Sequence, residues 1–324
     1  MNRFSYGLAD ETADTAQVAS AERARARSGL SLDDDANLGL EPLVAPDRTP
    51  LRLAKIDDLH GGGLRLGAFV TNADIAYDPR AVRRYPLLVA AILAGASPQL
   101  RNTATSGGNL DQRTRCYYFY ESESDSVGNE PEPQSTHGGV RCVHEILGAS
   151  GTSSGTHLSD MAVALTALDA KVRITGPDGE RVVPFTEYCR LTEDNPWLDD
   201  CLGPGELMIA VDLPPEDFSR HFAYSRPHDN SSTGSARISV AVALRLEGDR
   251  ISEARLALGG FAHSPWRSPI AESGLAGERV SHDTFAAAAH DILSGAVGQG
   301  DDEAKIEAAR VTIVSALERA AAMA

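Results

Sequence analysis

The residues with the clearest chemical potential form one short run, Thr105-Ser106-Gly107-Gly108-Asn109. Two adjacent glycines permit backbone angles that side chains forbid. Successive amide N–H groups can then line one concavity and hold an anion. Thr105 and Asn109 add side-chain donors. A pyrophosphate suits such a loop, because dipoles meet its charge and no bulky side chain intervenes. The bland reading of an isolated Gly-Gly is a tight turn, so the surroundings must decide. Elsewhere the sequence offers little chemistry. The four cysteines, Cys116, Cys142, Cys189 and Cys201, make no C-x-x-C pair, which excludes the zinc and thioredoxin patterns. Cys189 and Cys201 read as small buried or half-buried side chains. His137, His144 and His157 match no ligand spacing, so no metal site is expected.

The elements that must position the glycine run can be read on either side of it. Leu64–Val70 alternates as a strand. Thr71-Asn72-Ala73-Asp74 has the form of a turn with a helix cap. Pro86–Gly95 is an apolar, alanine-rich segment whose length and closing glycine favour a buried helix. Residues 121–141 are acidic and rich in Ser, Pro and Gly, and are expected to form an exposed, mobile loop. Ser159, as N-cap, opens an amphipathic helix with Met161, Leu165 and Leu168 on one face. Lys171–Thr175 and Arg181–Pro184 flank Gly176-Pro177-Asp178-Gly179, a hairpin signal. A further strand runs to Leu213, and Pro214-Pro215 marks the boundary to a last lobe. There Ile238, Val240, Val242, Leu244 and Leu246 share one strand face, and Arg255–Gly260 forms a second strand. The closing helix carries a stripe of Ile306, Ala309, Ile313 and Leu317. Strands followed by helices predict an α+β architecture.

Composition narrows the class. An apolar fraction of 42% can fill a core. A net charge of -16 argues against a nucleic-acid partner, which calls for clustered Lys and Arg. No apolar run reaches the roughly 18 residues of a membrane helix. The beginning of the chain lacks a signal-peptide apolar segment. The sequence therefore predicts a cytoplasmic protein, reaching the periplasm only if exported with a partner.

Several motifs in a fixed order carry a family resemblance. They are Leu66-Gly67-Ala68 with Thr71, Tyr85-Pro86-Leu87, Gln99-Leu100-Arg101-Asn102, Thr105–Leu110 and Ser159–Leu165. Leu202–Leu207, Ala257–Ala262 and Pro265-Trp266-Arg267 follow. From about Leu51 onward the chain resembles the FAD-binding subunit of the xanthine dehydrogenase and aldehyde oxidoreductase family of molybdenum hydroxylases. Gln112–Cys116 is similar to the bacterial periplasmic aldehyde oxidoreductase branch. The resemblance implies an oxidoreductase subunit with a two-lobed FAD-binding domain and a smaller C-terminal α+β domain. It implies a [2Fe-2S] small subunit and a molybdopterin large subunit as partners. Electrons from an aldehyde or N-heterocycle would pass through iron-sulfur centres to FAD and on to an external acceptor. Carried over by position, Thr105, Ser106, Gly107, Gly108 and Asn109 match the pyrophosphate loop, and Asp160 matches an aspartate near the FAD ribose. No catalytic residue is implied. The expected division is 1–50, a degenerate N-terminal lobe, then 51–213 and 216–324.

Three departures qualify the expectation. The family's second phosphate loop is replaced by Asp33-Asp34-Asp35-Ala36-Asn37-Leu38. Each carboxylate about 4 Å from a phosphate would cost roughly 1 kcal/mol at water-like dielectric. A flavin-free scaffold subunit is therefore the alternative. Only Cys116 and Cys142 flank the inserted loop, so a four-thiolate [4Fe-4S] cluster is not expected. Tyr224–Ser235, with His221 and His228 nearby, reads as a polar, solvated turn.

Overall fold

The computed structural model describes residues 53–111, 147, 159–189, 201–215, 218–227, 238–262, 264–296 and 302–323. The aspartate run 33–35, segment 112–116, Cys142, residues 121–141 and His137, His144, His157 and His228 lie outside these residues.

The first sheet opens with β1 (Ile56–Asp58) and β2 (Leu64–Gly67). Leu64 and Leu66, two residues apart, are both fully buried. The strand stops at Gly67, short of the expected Val70, because Val70 N turns back onto Gly67 O at 3.0 Å. Five short helices follow: α1 (Asn72–Tyr77), α2 (Pro79–Arg84), α3 (Pro86–Gly95), α4 (Pro98–Thr103) and α5 (Ser106–Leu110). Each of α2, α3 and α4 starts on proline, whose missing N–H would be unpaired there anyway. Thr71, Asp78, Ser97 and Thr105 cap α1, α2, α4 and α5 with side-chain oxygens. Then come α6 (Asp160–Ala167), β3 (Lys171–Gly176), β4 (Gly179–Pro184), α7 (Phe185–Tyr188) and β5 (Leu207–Leu213). Gly179 supplies the left-handed φ of +103° that the β3–β4 hairpin needs. The sheet order is β1-β2-β5-β3-β4, antiparallel throughout.

The second sheet contains β6 (His221–Ser225), β7 (Ser239–Glu247), β8 (Arg250–Gly259) and β9 (Trp266–Arg267), antiparallel in that order. Strand β8 begins five residues before the expected Arg255, because Glu247 and Arg250 pair across a tight turn through Gly248. Helices α8 (Pro269–Leu275), α9 (His282–Ile292) and α10 (Asp302–Ala321) close the domain.

Side-chain size on β7 decides how the two lobes meet. Val240, Val242 and Leu244 face the core formed with α8–α10. Ala241 and Ala243, on the opposite face, join Ala257 in the first lobe's core. Small residues there let α6 approach the sheet closely. A Cβ on Gly259 would come within 2.6 Å of Val163 on α6. Helix α6 is consequently buried on every side from Met161 to Ala167. The expected one-sided amphipathic helix is instead a wholly buried one, because sheet, helix α3 and the first core surround it.

Candidate functional site

The glycine run is a single capped turn of helix rather than an open loop. Thr105 Oγ1 accepts from Gly108 N at 3.2 Å, and the helical residues start at Ser106. Neither Gly107 nor Gly108 has a positive φ. The two glycines are therefore not there for left-handed backbone. Close approach explains Gly107: a Cβ there would lie 2.9 Å from Ala68 O and 3.3 Å from Met208 Cε. The turn is sewn to the exit of β2 by its own amides. Ser106 N donates to Val70 O at 2.8 Å, and Gly107 N donates to Ala68 O at 2.8 Å. Asn109 N donates to Thr105 O at 2.9 Å. Ser106 is wholly buried, and its hydroxyl donates to Gly67 O at 2.7 Å, so its side chain anchors the turn.

This corrects the picture of successive amides pointing into one concavity. Three of the four amides from Ser106 to Asn109 are bonded at 2.8 or 2.9 Å to backbone carbonyls of the chain. The exposed edge is Gly108, whose amide makes only the longer bond to Thr105. A Cβ on Gly108 would meet nothing but Thr105 Oγ1, at 3.2 Å. The half-buried Thr105 hydroxyl accepts that bond and retains its own proton for donation. Asn72, one residue past the Thr71–Thr105 bridge, is buried with its Oδ1 unpartnered. The turn thus presents Gly108, a hydroxyl and a carboxamide, with backbone held rigidly behind them.

Asn109 links this turn to α6. Its Oδ1 accepts from Ser159 Oγ at 2.5 Å, and the same Ser159 oxygen accepts from Ala162 N at 3.1 Å as the N-cap of α6. Asp160 is the next residue. Its carboxylate is largely buried and packs on Gly95, where an added Cβ would be 2.8 Å from Oδ2. Tyr224 Oη donates to Asp160 Oδ1, and Arg226 Nη1 donates to Oδ2 at 2.8 Å. Burial, then the adjacent Asp160 charge, raises the Tyr224 phenol well above its ordinary pKa, so the tyrosine keeps its proton.

Sequence reasoning missed these partners. The structure overturns the solvated-turn reading for Tyr224 to Arg226: Tyr224 is in strand β6, and Arg226 reaches across to the first lobe. His221 likewise lies in β6, with Nδ1 3.2 Å from Ala320 O. Arg226 also donates to Ala94 O and Gly95 O, each at 3.1 Å. The buried Arg101 covers Leu93 O at 3.2 Å and Ala96 O beside it. Two arginines therefore satisfy four consecutive carbonyls at the end of α3, where a helix leaves its last carbonyls unbonded and its dipole negative. Arg101 lies within the motif noted above, but nothing in its spacing reveals this role.

Comparison with known proteins agrees with this architecture. Residues 36–216 match the family model described as the FAD binding domain in molybdopterin dehydrogenase. Residues 223–322 match the CO dehydrogenase flavoprotein C-terminal domain. The chain is 37% identical to the aldehyde oxidoreductase FAD-binding subunit PaoB of Escherichia coli K12, with 100% of both chains covered. It is 26% identical to the putative xanthine dehydrogenase FAD-binding subunit XdhB of the same organism, covering 72% of this chain and 64% of that one. Carbon monoxide dehydrogenase from Hydrogenophaga pseudoflava, in a form lacking the Mo-pyranopterin moiety, shares the fold. Its TM-score is 0.62 at 23% identity, with 85% of this chain and 80% of that chain covered.

Proposed function

The chain belongs to the FAD-binding subunits of the molybdenum hydroxylase family, and we propose that its Thr105–Asn109 turn holds one side of the FAD pyrophosphate. The observation that carries the assignment is the exposed Gly108 edge on a backbone pinned to Ala68 and Val70. The residues fit the group. Gly108 has no side chain to obstruct a phosphate, the Thr105 hydroxyl has a proton to give, and Asn109 is fixed by Ser159. Pinning the turn in advance lowers the ordering cost of binding. Gly107 belongs to this site through its packing on Ala68, and Ser106 through its anchor to Gly67. Asp160 is assigned to the ribose side through its place beside Ser159.

Bound FAD would supply the redox chemistry that links the iron-sulfur centres to an external acceptor. The chain's own residues bind and orient it; no side chain is assigned a proton-transfer step. The partners proposed are a [2Fe-2S] small subunit and a molybdopterin large subunit, where an aldehyde or N-heterocycle is oxidised. The FAD-binding domain is taken as residues 51–213 with 1–50 as a reduced N-terminal lobe, and the C-terminal domain as 216–324. Among the described residues no helix is long and apolar enough to cross a membrane. Cys189 is buried and Cys201 half-buried, and we place the subunit in the cytoplasm unless a partner exports it.

The flavin-free scaffold is the competing reading, favoured by Asp33-Asp34-Asp35, which the family match starting at residue 36 leaves out. Acid release of flavin from the purified complex separates the two. About one FAD per copy of this chain is expected; none, with the subunit present, establishes the scaffold. A Gly108→Asp variant is expected to lose the flavin, and unchanged FAD content would remove the turn from the site.

A further inference from the structure

The unexplained feature of the site is a carboxylate placed against the wrong end of a helix. Asp160 packs on Gly95, at the C-terminal end of α3, where the carbonyls of Leu93, Ala94, Gly95 and Ala96 concentrate negative dipole. Left alone, a largely buried carboxylate and a helix C-terminus repel each other. Arg226 lies between them and bonds both sides: Asp160 Oδ2 at 2.8 Å, Ala94 O and Gly95 O at 3.1 Å. Tyr224 donates to the other carboxylate oxygen. Arg101 is a further charged neighbour, on the Leu93 and Ala96 carbonyls. Both Arg226 and Tyr224 come from the β6 end of the C-terminal domain, whereas α3 and α6 belong to the first lobe.

We infer that Tyr224 and Arg226 of the C-terminal domain are positioning residues for the flavin turn, acting through Asp160, Ser159 and Asn109. The path is short and direct. Asp160 is the first helical residue of α6, and Ser159 before it caps the helix. The Ser159 hydroxyl holds the Asn109 carboxamide at 2.5 Å. Without the Arg226 cation, Asp160 and the end of α3 move apart, because the space between them leaves no room: an added Cβ on Gly95 would already lie 2.8 Å from Oδ2. The start of α6 moves with Asp160, and Ser159 no longer fixes Asn109. The far end of α6 is held separately. There Arg267 donates to Thr166 O at 3.1 Å and pairs with Asp169 and Glu272. That end reaches the glycine turn through the length of α6, by way of Thr166, Ala162 and Ser159, and not through Asp160, so it provides a control of similar construction.

This inference rests on the flavin assignment above, and the experiment separates the two. FAD content and the flavin visible band are measured on the intact complex for wild type, R226Q, Y224F and R267Q, with thermal unfolding alongside. R226Q is expected to weaken FAD binding about tenfold or more, equivalent to about 1.4 kcal/mol, and to shift the flavin band. Y224F, which removes one hydroxyl without changing shape, is expected to shift the band and weaken binding several-fold. R267Q is expected to lower the unfolding temperature while FAD content and band stay as in wild type. A flavin-loaded wild type with unchanged R226Q and Y224F overturns the inference alone, as does an R267Q variant losing flavin equally. If R226Q does not assemble, Y224F decides by the same criterion. A wild-type complex without flavin overturns the flavin assignment and the inference with it.

Discussion

Alanine at Gly107 and alanine at Gly108 are expected to move stability in opposite directions, although the residues are adjacent. At 107 the new Cβ would lie 2.9 Å from Ala68 O, 3.2 Å from Ala68 Cβ and 3.3 Å from Met208 Cε. The closest of these is backbone, and Gly107 N is bonded to that same carbonyl at 2.8 Å. The turn cannot retreat without stretching this bond. Overpacking of this kind costs about 1–3 kcal/mol. With about 2–4 °C per kcal/mol for a domain of ordinary size, the unfolding midpoint should fall by roughly 2–12 °C. At 108 the Cβ meets only the Thr105 hydroxyl, at 3.2 Å, on an exposed residue with ordinary φ. Gly→Ala at such a position stabilises by roughly 0.4–1 kcal/mol through the unfolded chain. The G108A methyl nevertheless stands where a phosphate must approach, so that variant should be folded and flavin-poor. The assay is thermal unfolding of the purified complex, followed both by protein signal and by flavin release. A G107A variant as stable as wild type would refute the close-packing account. A stable G108A variant with full FAD content would refute the assignment of the turn.

Further outcomes follow from the helix ends. Arg101→Met keeps an apolar stem but strips Leu93 O and Ala96 O of their donor. Losing the donor on these part-buried acceptors should cost roughly 0.5–1.5 kcal/mol, seen as a lower denaturant midpoint at unchanged slope. Asp78 caps α2 by accepting from Arg80 N at 2.7 Å and pairs with the Arg80 guanidinium at 2.8 Å. The Arg80 side chain, first, and the α2 backbone amides hold the Asp78 carboxyl below its ordinary value of 3.8. Its folded pKa being depressed, its contribution is full above the unfolded pKa and is lost as pH falls through the folded one. Asp78→Asn should therefore cost stability near neutral pH and flatten the acid limb below about pH 4, measured by unfolding at stepped pH. An acid limb identical to wild type would count against that pairing.

Local rules made much of the fold legible in advance. A cap acts over three residues and a proline over one, so Thr71, Pro86 and Ser159 marked helix starts without reference to the rest of the chain, while the starts at Pro79 and Pro98 appeared only in the structure. Strand alternation gave β7 its core face, and Gly179 gave the hairpin its turn. The order of the motifs gave the family. The amphipathic reading of α6 failed because its second covering layer comes from β7 and β8, more than seventy residues later.

The glycine turn shows where the division lies. The sequence by itself determined that Thr105–Asn109 has glycines, a hydroxyl and a carboxamide together, and that a helix cap follows at Ser159. Tertiary structure alone decided what the glycines are for: Gly107 faces a carbonyl 39 residues away, and backbone contact, not backbone angle, excludes a side chain. It alone decided that Asn109 meets Ser159, 50 positions on, and that Arg226 meets Asp160, 66 positions back. Local propensities act within about one helical turn, whereas ion pairs and close approaches depend on the path of the whole chain. Residues such as Arg226 therefore look like surface charge in the sequence and become part of the site only when two lobes close around α6.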